Sequence, residues 1–78
     1  MTYTDRGESM TGAEFREIRD RLRLNQTDLA RAMGTIQPTV SRWENTESVP
    51  SIPTRFIRTI EIAIQYGTPI ERLIPGKE

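Results

Sequence analysis

Phe15, Ile18 and Leu22 recur at helical spacing, with Arg16, Glu17, Asp20, Arg21 and Arg23 between them, and so predict an amphipathic helix over about residues 12–23. Thr11 and Glu14 have the capping-box spacing that opens such a helix. Asn25, a good N-cap, has Asp28 three residues on and opens a second helix over about 26–33, whose inner residues are Leu29, Ala30 and Met33. Gly34 ends it, because glycine enters the left-handed conformation at little cost. A third helix spans about 37–44. Pro38 is tolerated in its first turn, Val40 and Trp43 point inward, and Gln37, Thr39, Ser41 and Arg42 are left more exposed. Residues 45–53, with Asn, Ser and two prolines, read as a loop. A fourth helix from about Pro53 or Thr54 to Tyr66 (about 54–66) follows, with Phe56, Ile57, Ile60, Ala63 and Ile64 on one face and Gly67 as its stop. Thr68, Pro69 and Glu71 then supply a cap, a first-turn proline and a capping-box acid for a short helix over about 69–74. No segment alternates as a strand would, so the expected fold is an all-α, compact five-helix bundle. Residues 1–10, polar and aperiodic, form a flexible arm before a single domain over 11–78.

At 78 residues the core is marginal for one domain, which makes dimerisation plausible from the outset. The absence of cysteine excludes disulfides and thiolate sites, and the absence of histidine removes the commonest metal ligand and general base. Neither a cofactor nor a metal is expected. Glu14, Glu17, Asp20 and Asp28 are carboxylates without a histidine, a cysteine or a glycine-rich phosphate loop to work with, which argues against an enzyme. No apolar run approaches the roughly 20 residues that span a bilayer, and the first ten residues lack a signal-type apolar stretch, so no membrane is involved and a cytoplasmic location is expected. Eleven basic and eleven acidic residues give zero net charge, which argues against coating nucleic acid by bulk electrostatics. Ten of the eleven bases are arginine, whose planar fork suits bidentate contacts to phosphate or guanine edges.

A recognition helix must cross its supporting helix closely and still protrude. The crossing needs a small residue, the turn a glycine, and the second helix two apolar anchors. Ala30, Gly34, Val40 and Trp43 meet these needs in order. Through LNQTDLARAMG, then PTVSRWEN, then the VPSIPT that leads into the fourth helix, the sequence resembles the XRE-type family of Cro and lambda-repressor-like proteins over about residues 11–75. The resemblance implies a helix-turn-helix whose third helix enters the major groove of double-stranded DNA.

Carried over on that resemblance, Gln37 is the first base reader, pairing with adenine N6 and N7, and Arg42, on the next turn of the same face, favours guanine O6 and N7. Ile36 and Pro38 flank Gln37 and would cradle a thymine methyl, while Thr39 and Ser41 contact phosphate or base. Gln26 holds a phosphate at the start of helix 2, Asn45 is a second phosphate ligand, and Arg19 with Glu44 forms a structural salt bridge from helix 1 to the end of helix 3. The plain alternatives are a solvated surface arginine for Arg42, helix capping for Gln26 and a C-cap for Asn45.

Thr46 and Glu47 stand where many members carry glycine and then a basic residue, and Ile36 is a poor N-cap. Affinity is therefore expected to lean on base contacts, on arginines elsewhere such as Arg23 and Arg55, and on the arm with Arg6.

Ile62 lies nearly opposite the apolar stripe of helix 4, beside Arg58 and Tyr66. With Ile70, Leu73 or Ile74 it is expected to form a homodimer interface on an inverted-repeat operator. The bland alternative is a single exposed isoleucine. The expected function is a homodimeric repressor controlling its own operon in a bacterial or phage-infected cell, in a phage, toxin–antitoxin, restriction–modification or anti-CRISPR setting. The alternative is a protein-binding module such as an antitoxin.

Overall fold

The computed structural model describes residues 10–74. They form five helices, α1 (Gly12–Arg21), α2 (Gln26–Met33), α3 (Gln37–Glu44), α4 (Ser51–Gln65) and α5 (Ile70–Leu73), with no strand among the described residues. The expected all-α bundle is the fold observed. Arg6, with the rest of the proposed arm, lies outside the described residues. Met10, assigned to that arm from the sequence, instead packs into the core, and its carbonyl accepts the Val49 N–H at 2.8 Å.

Local chemistry sets most of the boundaries. The Thr11 hydroxyl accepts from the Glu14 N–H at 3.1 Å while the Glu14 carboxylate accepts from the Thr11 N–H at 2.9 Å, so the capping box is complete. The Asn25 side chain accepts the Asp28 N–H at 2.7 Å. Gly34 and Gly67 both adopt the left-handed conformation, with φ of 73° and 94°. After each, the next residue's N–H returns to the preceding helix: Thr35 to the Ala30 carbonyl and Thr68 to the Ala63 carbonyl.

Three boundaries differ from the sequence expectation. α1 stops at Arg21 because Arg23 takes a left-handed backbone, φ 62°, which turns Leu24 into the core. α4 starts at Ser51, with Pro50 as N-cap and Pro53 in the first turn. The missing N–H of Pro53 costs nothing there because the first turn has no intrahelical acceptors to fill. α5 covers only Ile70–Leu73, with Pro69 as N-cap and no side-chain cap. Thr68, read from the sequence as its cap, makes no cap bond to it; its N–H donates to the Ala63 carbonyl at the end of α4.

The core gathers Phe15 and Ile18 of α1, Leu29 of α2, Val40 of α3, Ile57 and Ile60 of α4, and Ile74. Phe15 meets Trp43 edge to face, ring centroids 6.1 Å apart and planes at 78°, which joins α1 to the last turn of α3. Beside this contact the Gly12 N–H donates to the Thr46 carbonyl at 3.0 Å. A Cβ on Gly12 would lie 2.6 Å from backbone atoms of Glu44 and Thr46, so only glycine permits this approach.

Candidate nucleic-acid interface

α2 and α3 meet across the Gly34 turn with Ala30 buried on the inner face of α2. α3 is seated by Val40, Trp43 and Glu44, and its opposite side carries Pro38, Arg42 and Asn45, all exposed, with Ser41 and Thr39 half-buried at the flanks. At about 100° per residue, Gln37 and Arg42 stand some 140° apart. They occupy opposite edges of the protruding face rather than stacking on one line as the sequence reading has it.

The described arginines differ in whether they are paired. Arg16 pairs with Asp20, Arg21 with Glu61, Arg31 with Asp28 and Arg58 with Glu61, at 3.4–3.9 Å. Arg42 and Arg23 have no ion-pair partner among the described residues. A guanidinium exposed on α3 without such a partner among the described residues is available for phosphate or guanine. Asn45 donates to the Ser41 carbonyl at 2.8 Å and thus acts as the C-terminal cap of α3, while its side chain remains exposed. Ile36 is 64% exposed and makes no cap hydrogen bond, which leaves an apolar shoulder at the tip of α3.

Behind this face runs a chain of side-chain hydrogen bonds. Arg19 grips the Glu44 carboxylate through Nε and, at 3.2 Å, through Nη2, and its Nη1 donates to the Leu24 carbonyl at 2.7 Å. Gln26 Nε2 donates to Glu44 Oε1 at 2.9 Å, and Gln37 Nε2 donates to Gln26 Oε1 at 2.5 Å. The Arg19–Glu44 pair was foreseen. The two glutamines were singled out separately, and their contact was missed; with Gln26 in the first turn of α2 and Gln37 in the first turn of α3, the short turn between them was the available signal.

A family model described as helix-turn-helix, of the Cro/C1 type, matches residues 15–54, from Phe15 in α1 through α2 and α3 to Thr54 in the first turn of α4. The chain belongs to the XRE-type helix-turn-helix family. Neither curated proteins nor solved structures gave a match. This XRE-type protein is a DNA-binding transcription regulator, and its family is not typically enzymatic. Among the described residues no group of three or more Asp or Glu side chains is placed to hold a metal, and no helix is long and apolar enough to cross a membrane.

The remaining candidates concern self-association. Ile62 and Tyr66 are 51% and 86% exposed and, with Arg58, recur every four residues along the outer side of α4. Ile74 does not belong with them. It is fully buried in the core, and Ile70 and Leu73 are half-buried against the same core.

Proposed function

We propose that this regulator acts as a homodimeric repressor of its own operon, placing α3 of each protomer in successive major grooves of an inverted-repeat operator. The observation that carries the reading is the two-sided character of α3: apolar and anchored on one side, and on the other exposed, with an Arg42 that has no ion-pair partner among the described residues. Arg42 reads guanine, Gln37 adenine, and the Ile36 and Pro38 shoulder a thymine methyl; Ser41 and Thr39 add phosphate or base contacts. Gln26, Asn45 and Arg23 hold the backbone, and Arg6, in the segment before Met10, adds to that grip.

The dimer is formed by Ile62, Tyr66 and Arg58 of α4, which sets the two α3 helices roughly 34 Å apart, one turn of DNA. Footprinting on the DNA upstream of its own gene is expected to show a two-fold symmetric protected site. An unprotected upstream region would remove the autorepression reading and favour the protein-binding alternative.

Replacing Ile62 by glutamate puts a charge into the proposed apolar contact and is expected to give monomers in sedimentation, with folding intact because the side chain lies outside the core. Unchanged sedimentation from an otherwise dimeric protein would move the interface off α4.

A further inference from the structure

Among the described residues, Arg23 alone has a positive φ, 62°, without being glycine. Its turn repeats a motif that closes two other helices. The Arg23 N–H donates to the Asp20 carbonyl at 3.0 Å and the Leu24 N–H to the Arg19 carbonyl at 3.2 Å, as the N–H groups of Gly34 and Thr35 return to Arg31 and Ala30, and those of Gly67 and Thr68 to Ile64 and Ala63. A Cβ on Gly34 or Gly67 would meet nothing within 4 Å, so glycine stands there for its backbone and not for want of room. The same backbone is demanded at position 23, where a side chain crowds the following carbonyl and lowers stability.

Nothing inside the fold offsets that loss. The turn that carries Leu24 into the core needs only the backbone at position 23, which glycine would supply without strain. The Arg23 side chain is exposed and makes no ion pair or side-chain hydrogen bond among the described residues, whereas Arg16, Arg19, Arg21, Arg31 and Arg58 each meet a carboxylate. Arg23 comes three residues before Gln26, and Gln26 is hydrogen-bonded to Gln37 in the first turn of α3, so the free charge stands at the end of the bundle where α2 and α3 begin.

We infer that Arg23 is a sequence-independent anchor for a DNA phosphate, kept in the chain although it destabilises the fold. The inference rests on the backbone contact proposed above for Arg23 and divides the labour of binding: Arg23 sets how firmly any duplex is held, while α3 chooses among sequences.

Thermal unfolding and duplex titrations of the full-length chain, with Arg23→Gly, Arg23→Ala and Arg23→Lys, separate the backbone from the charge. Arg23→Gly is expected to raise the melting temperature by about 4–8 °C, while Arg23→Ala and Arg23→Lys leave it nearly unchanged, because only glycine relieves the left-handed strain. The probes are a duplex from upstream of its own gene and a scrambled duplex of the same length and composition. On both, Arg23→Gly and Arg23→Ala are expected to lose affinity by the same factor. Between about 50 and 200 mM salt the wild type should lose about 3- to 4-fold more affinity per protomer than either variant, the share of one phosphate contact. Arg23→Lys keeps the charge and should follow the wild type.

A raised melting temperature with affinity and salt dependence unchanged overturns the inference and leaves Arg23 a tolerated surface residue. A loss confined to the upstream duplex also overturns it, since Arg23 would then be reading a base. If Arg23→Gly melts at or below the wild-type temperature, arginine there carries no folding penalty and the inference fails on that side. Wild type that holds neither duplex at low salt defeats the proposed contact of this face with DNA, and the inference with it.

Discussion

Glu44→Ala is expected to lower the folding stability by about 3–5 kcal/mol in urea denaturation, the range seen when one partner of a buried ion pair is removed. The Arg19 residue is 8% exposed and the Glu44 side chain 4%, so removing the carboxylate leaves a largely buried guanidinium whose remaining partners among the described residues are the Leu24 carbonyl and the solvent-exposed carboxylate of Asp20, 3.3 Å away. Gln26 loses its acceptor in the same stroke. A domain of this size has roughly 5–15 kcal/mol in total, so a large part of the margin goes and much of the helical signal is expected to melt below physiological temperature. Converting the pair together, Arg19→Met with Glu44→Leu, should recover most of the loss, since well-packed apolar residues often replace a buried pair without penalty. A change of under about 1 kcal/mol for Glu44→Ala would show that water reaches the pair and that the surface range applies instead.

The second large effect lies on the exposed side of α3, the proposed reading face. Arg42→Ala is expected to weaken operator binding by about 1–3 kcal/mol, or roughly 5- to 150-fold, while affinity for unrelated DNA falls by much less. Arg42 has no intramolecular partner among the described residues and is exposed, so the substitution takes nothing from the fold, and an unchanged melting temperature should accompany the loss. Arg42→Lys separates two contributions. The charge stays but the planar fork goes, so selectivity should fall further than affinity. Titrations on operator and scrambled duplexes at one salt concentration provide the check, and equal losses on both would reassign Arg42 to the phosphate backbone.

Much of this was legible in the sequence because local rules and tertiary packing agree. Thr11 with Glu14, Asn25 with Asp28, and Gly34 each announce a helix end whose chemistry is contained within a few residues, and each is found in place. The misreadings occur where the outcome depended on something distant or on a residue with two uses. Ser51 and Ile52 read as loop because Pro50 and Pro53 bracket them, yet in a first turn Pro53 interrupts nothing. Thr68 has the right side chain for a cap, yet the helix begins one residue later, with Pro69 at the N-cap. Ile74 follows a four-residue helix too short to display a periodicity, so nothing in the pattern separated core from surface there, and only the packed bundle shows it buried. The glutamine relay is the clearest case of information that composition does not carry. Gln26 and Gln37 each look like independent polar surface positions until the turn at Gly34 brings them within hydrogen-bond reach, and the direction of their contact is decided by Arg19, a residue of another helix.

α3 is held by its inner side and its far end: Val40 and Trp43 in the core, Glu44 under Arg19, and the backbone that follows it pressed against Gly12. None of these attachments uses Pro38 or Arg42. The address read by the protein can therefore be rewritten by exchanging a few outward side chains while the scaffold stays as it is. Duplicated copies of such a gene could part company in a handful of substitutions, each keeping its own promoter and ignoring its sibling's.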